Sequence, residues 1–116
     1  TLNSMENLKV VNVDRNAGIN NFTVTDCNQL EQVDIESNSG LKNLIITKCY
    51  NAKLLLTLNN NINLESLNVS DTAFYTPFNL SGDASKIKNV DFSNTYFDSI
   101  QFNTENITTF NSSTRH

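Results

Sequence analysis

Glycine occurs three times and proline once in the 116 residues of this chain. Three glycines exclude a calcium-binding nonapeptide solenoid, whose repeats need glycine together with Asp at fixed offsets. They also mean that sharp corners must be built from Asn, Asp and Ser, which tolerate left-handed backbone and hydrogen-bond their own main chain. Charge is sparse too. Charged residues are 17% of the chain, the net charge is −4, and the Lys and Arg residues are scattered. No basic stripe results, so no nucleic-acid partner is expected. No apolar run approaches the roughly 20 residues that span a bilayer, and three-residue runs such as Leu54 to Leu56 are too short even for a signal-peptide core. No membrane span is expected. The single histidine, His116, sits at the terminus with no Ser or Asp placed to orient it as a base.

What the chain does have is uncharged polar residues, Asn foremost, around a modest 38% of apolar ones. A polar chain with little charge could be disordered, but here the apolar residues fall in spaced pairs, which signals a core. The pattern apolar-x-x-apolar-x-apolar-x-x-small or Asn recurs about every 11 residues. Its inner pairs are Val11/Val13, Phe22/Val24, Val33/Ile35, Leu44/Ile46, Leu56/Leu58, Leu67/Val69, Phe78/Leu80, Val90/Phe92 and Ile100/Phe102, with Phe110 opening a weaker repeat. Alternation within each pair predicts a short strand with one buried face.

Successive halves differ. Even-numbered ones end in a hydroxyl residue, any residue, then Cys or Thr: Thr25-Asp26-Cys27, Thr47-Lys48-Cys49, Ser70-Asp71-Thr72 and Ser93-Asn94-Thr95. Odd-numbered ones close on Asn16, Asn38 and Asn61, then Asp83 and Glu105. One turn is therefore two halves, about 22 residues, and the chain is expected to hold about five turns. The expected fold is a β-rich repeat solenoid with parallel strands on both long sides and little or no helix. It forms one segment, 1–116, in which each strand pairs with its equivalent one turn away.

The stretches Leu30 to Asn38, Leu41 to Cys49 and Leu64 to Thr72 resemble the LxxLxLxx(N/C/T) signature of leucine-rich repeats. The short period and the polar, helix-poor second half are most similar to bacterial surface repeats of the internalin type. The resemblance implies a right-handed coil and a non-enzymatic extracellular or cell-surface role, adhesion or recognition of a protein or glycan by one face of a curved ribbon. Lys53 departs from the pattern at a leading apolar position, and one extra residue is expected near 59–61 and another near 81–85. Thr1 in place of an initiator Met points to a part of a longer chain. No terminal cap is evident, so flanking repeats, caps or a neighbouring subunit are expected at the coil ends. The alternative role is a structural spacer or filament subunit that self-associates end to end.

Candidate site residues follow from the period. Inward Asn16, Asn38 and Asn61 would form a ladder bridging backbone groups of adjacent coils, the competing reading being that Asn is merely abundant. Cys27 and Cys49, one turn apart, would be buried free thiols in a second ladder continued by Thr72 and Thr95. A disulfide is the alternative, although stacked parallel Cβ vectors suit it poorly, and two thiols are too few for a zinc site. Outward strand residues line up as Thr23, Ile45, Asn68, Asp91 and Asn111 on one side and Asn12, Asp34, Thr57, Asn79 and Gln101 on the other. The first row, with Tyr50 and Tyr96 and with Tyr75 nearby, is the candidate ligand-binding face; each tyrosine could instead cover the rim of its own coil. Asp26, Asp34, Asp71 and Asp91 are dispersed and recur as no acid pair. The glycan-cleaving chemistry that some β-helices host is therefore the weaker reading, and no catalytic residue, metal or cofactor is expected.

Overall fold

The computed structural model describes residues 1–50, 54–73 and 86–95, together with the backbone of three short strands at 78–79, 100–101 and 109–111. Within them the chain is a β-rich parallel solenoid of about three turns with almost no helix. One long side is a six-stranded sheet in the order β1 (Leu2–Asn3), β3 (Asn21–Thr25), β5 (Asn43–Thr47), β7 (Ser66–Asn68), β9 (Asn89–Asp91) and β11 (Thr109–Asn111). The other side carries β2 (Val10–Asp14), β4 (Gln32–Glu36) and β6 (Leu55–Asn59), and a separate pair, β8 (Phe78–Asn79) with β10 (Ile100–Gln101). Every pairing is parallel, as Phe22↔Leu44↔Leu67↔Val90 and Val11↔Val33↔Leu56 show. Parallel neighbours need a long crossover, which here is the strand on the opposite side with a corner at each end. Counted from the corner after the six-stranded sheet, the first coil runs over 5–26, the second over 27–48 and the third over 49–71.

Alternation fills the space between the sheets. Val24, Val33, Ile35, Leu44, Ile46, Val69 and Phe92 are wholly buried, and so are Leu30, Leu54, Leu64 and Ile87 at the leading position of their halves. Each such side chain contributes roughly 1.5–3 kcal/mol by leaving water. Inner residues of the first coil, Val13, Ile19 and Phe22, are only partly buried because they pack against the core from its end.

Corners follow one backbone rule. Ser4, Arg15, Asp26, Ser37, Lys48, Asn60, Asp71 and Asn94 all take left-handed conformation with φ between 52° and 58°. Each stands just after a strand side and just before an inward residue: Met5, Asn16, Cys27, Asn38, Cys49, Asn61, Thr72 and Thr95 respectively. Asn, Asp and Ser supply most of these positions, but Arg15 and Lys48 do so as well, despite the roughly 1–2 kcal/mol that left-handed backbone costs an ordinary L-residue. No described glycine has positive φ. Gly40 serves another purpose: a Cβ there would lie 2.2 Å from the Ala17 carbonyl oxygen of the coil before.

The extra residue expected near 59–61 lies earlier. β5 stacks on β3 at a step of 22 through Thr25↔Thr47, and the Tyr50 N–H still reaches Asn28 at that step. β6 then stacks on β4 at 23, from Gln32↔Leu55 onward. The insertion is thus between Tyr50 and Leu55. Leu54, at the end of that stretch, is buried in the core. Lys53 and the second expected insertion, 81–85, lie outside the described residues.

Candidate functional site

Two internal ladders position the outer faces. At one corner the Oδ1 of Asn38 and that of Asn61 accept from the coil before. Asn16 donates to Asn38 Oδ1 from its backbone N–H (3.0 Å) and its Nδ2 (3.2 Å), and Asn38 donates to Asn61 Oδ1 in the same two ways (3.1 and 3.0 Å). The Nδ2 of Asn38 also reaches Val13 O at 3.0 Å, and that of Asn61 reaches Ile35 O at 2.9 Å. Asn38 and Asn61 are fully buried. An amide suits the position because it alone offers an acceptor toward one coil and two donors toward backbone and neighbour.

At the opposite corner Cys27 and Cys49 are buried free thiols, each donating weakly to the last carbonyl of its own strand, Thr25 O and Thr47 O, at 3.5 Å. Thr72 and Thr95 occupy the same column with hydroxyls. Thr72 Oγ1 lies 3.0 Å from Ser70 O and 3.3 Å from Ile46 O, and Thr95 Oγ1 lies 2.7 Å from Val69 O. Burial pushes the Cys49 thiol above its ordinary pKa, and Cys27 and Asp26 nearby act in the same direction, against a lowering by the Cys27 backbone. Met5 heads this column, a place that sequence reading missed although it stands one period before Cys27.

These ladders hold the six-stranded sheet in register, and on its outer face lies a trough of about 520 Å³. Two parallel rows line it: Asn21, Asn43, Ser66 and Asn89, then Thr23, Ile45, Asn68 and Asp91, with the backbone at Leu44, Leu67 and Val90 between them. Rungs of each row repeat at the strand spacing, about 4.8 Å. The second row is the one expected from the sequence. The first escaped it, although period-two alternation places those residues two before each of the others. Asn43 Nδ2 donates to Asn21 Oδ1 at 2.6 Å and Asn89 Nδ2 to Ser66 Oγ at 3.2 Å, so this row is itself hydrogen-bonded along the stack. Beyond the trough, Thr47 donates to Thr25 at 3.1 Å.

The candidate residues do not all face a ligand in the same way. Thr23 and Ile45 are half-buried on five-residue strands. Asn68 and Asp91 turn back on the chain: Asn68 Oδ1 accepts the Ser70 N–H at 3.0 Å, and Asp91 Oδ1 accepts the Ser93 N–H at 2.9 Å and the Ser93 hydroxyl at 2.5 Å. These Asx-type bonds compete with the ladder, which is why β7 and β9 stop after three residues. Asp91 is the one ionisable side chain among the described residues lining the trough, and none of them is aromatic. Asn111 pairs through its backbone with Asp91.

Tyr50 is 59% exposed beside the Cys49 corner and does not line the trough. Tyr75 and Tyr96 lie outside the described residues, as do Asp83, Glu105 and His116. On the opposite side Asn12, Asp34 and Thr57 stand in register. Asp34 Oδ1 is buried with no partner among the described residues. Asn79 and Gln101 are paired by backbone in β8 and β10 as Gln101↔Asn79. Asp26 and Asp71 are left-handed corner residues, whereas Asp34 lies on β4 and Asp91 ends β9. Among the described residues no three His, Cys, Asp or Glu side chains converge as metal ligands. No protein-family model, curated protein or solved structure matches this chain.

Proposed function

We propose that the chain is a non-enzymatic recognition module, a leucine-rich-repeat-like right-handed solenoid of about five turns from a secreted or cell-surface protein, binding a protein or glycan ligand through one strand face. The trough on the six-stranded sheet carries this reading. It is a continuous, almost uncharged strip of amides, hydroxyls and one isoleucine, held by buried ladders, so a ligand meets a preorganised surface. Solenoids place binding on such stacked outward rows because each coil adds one rung. Within the trough, Thr23 and Ile45 are the contacts best placed for a ligand, since Asn68 and Asp91 also hold their own turns.

The test is a panel of purified surface proteins and immobilised glycans probed with the wild-type chain and with Ile45→Arg, whose side chain would fill the trough from a half-buried outward position. Binding that is lost in Ile45→Arg, with the circular dichroism spectrum preserved, supports the reading. Binding that survives the substitution places the ligand on another surface.

A further inference from the structure

We propose that Cys27 and Cys49 form a two-coordinate site for a soft monovalent metal ion, Cu(I), held between the second and third coils. This goes beyond the recognition reading and does not rest on it. Both thiols are free and wholly buried. Each makes the same bond, from Sγ to the last carbonyl of its own strand at 3.5 Å, so the two side chains are oriented alike and their sulfurs repeat at the rung spacing, about 4.8 Å. That separation is far too long for a disulfide, whose S–S bond is about 2.05 Å. It suits a metal placed between the sulfurs, because a metal–thiolate bond is about 2.3 Å and two laid end to end span about 4.6 Å. The parallel side chains that disfavour a disulfide are thus what a linear sulfur–metal–sulfur arrangement needs. The Cys27 thiol and backbone both act on the Cys49 thiol, which therefore lies against that rung.

The rest of the column shows what these thiols leave undone. Thr72 Oγ1 reaches Ser70 O on its own strand and Ile46 O a coil back, and Thr95 Oγ1 reaches Ser93 O and Val69 O in the same way. As donors the cysteines reach only the first kind of carbonyl, a thiol being a weak donor. Hydroxyls close the column between coils, and the sulfurs do not.

The donor set selects the ion. Met5 stands one period before Cys27, so three successive rungs carry sulfur, and soft thiolate and thioether donors favour Cu(I). Among the described residues no third His, Cys, Asp or Glu joins the two thiols; they supply two ligands, where zinc takes four. Asn28 and Tyr50, which follow the cysteines, are exposed, so the site lies one residue beneath the surface at a corner. On binding, each cysteine gives its thiol proton to solvent and forms one sulfur–metal bond, and no electron is transferred.

Titration of the reduced 116-residue chain with Cu(I) under anaerobic conditions, in competition with a chromophoric Cu(I) chelator, tests this. The wild type should withhold one ion per chain from the chelator, and X-ray absorption should show copper with two neighbours, both sulfur. The double variant Cys27→Thr, Cys49→Thr, which copies the hydroxyls of Thr72 and Thr95, should lose the ion and keep the wild-type circular dichroism. Met5→Leu, whose rung does not adjoin the gap between the two thiols, should keep the ion. A wild type that yields all its copper to the chelator overturns the proposal, and so do nitrogen or oxygen neighbours in the absorption spectrum. Binding retained by the folded double variant, or lost in folded Met5→Leu, overturns it as well. If the double variant does not fold, the wild-type absorption spectrum decides.

Discussion

Replacing Asn38 by Ala should be among the most damaging single changes in the protein. Four hydrogen bonds depend on its side chain: two accepted by Oδ1 from Asn16, and two donated by Nδ2 to Val13 O and Asn61 Oδ1. At about 1 kcal/mol net per bond the loss is about 4 kcal/mol, larger where a buried carbonyl such as Val13 O is left unpaired. Against a typical total of about 5–15 kcal/mol this is a large share. The assay is urea unfolding followed by circular dichroism, with Asn12→Ala as the control at an exposed outward position, where a change within about 0.5 kcal/mol is expected. Asn38→Asp sharpens the test. It keeps the acceptor toward Asn16 but turns a carboxylate on Val13 O and Asn61 Oδ1, so burial and repulsion raise its folded pKa. Its stability should then be greatest below the carboxylate range and fall as pH rises through that raised value. If Asn38→Ala shifts the midpoint no further than Asn12→Ala, or if Asn38→Asp shows no pH dependence beyond that of the wild type, the ladder is not an energetic element and the argument fails.

Two other outcomes follow from the corners. Because burial raises the Cys49 thiol pKa in the folded chain, the unfolded chain ionises first; stability should be intact below the ordinary thiol range, near 8.5, and decline above it. Cys49→Ser should flatten that alkaline limb in urea melts taken from neutral to alkaline pH, and an undiminished decline would assign it to other groups. Gly40→Ala should destabilise by about 1–3 kcal/mol because the Ala17 carbonyl must move. An unchanged thermal midpoint would show that the first corner gives way freely.

Much of the coil was legible in the residues themselves. Period-two apolar pairs repeated at a fixed interval can bury their faces only by stacking, so the parallel side-by-side strands and the inward columns of Asn16, Asn38, Asn61 and of Cys27, Cys49, Thr72 could be written down from spacing. The same spacing contained the Asn21 row and the place of Met5, which went unread because the row is polar and Met5 is neither the Cys nor the Thr that marks its column. Other features depend on contacts between coils, which no local pattern contains. Where the extra residue enters, between Tyr50 and Leu55, shows only in the pairing of the coils, which steps by 22 up to Thr47 and by 23 from Leu55. That Asn68 and Asp91 bind their own turns while Thr23 and Ile45 stay on full-length strands was a competition between side-chain and ladder hydrogen bonds. Gly18 and Gly40 are the plainest case: two identical letters at the same point of the repeat, distinguished only by whether another coil lies against them. Periodicity along the chain determined which residues turn inward; packing between turns, where backbone meets backbone at close range, decided which of the rest bear on a neighbour and which are left facing outward.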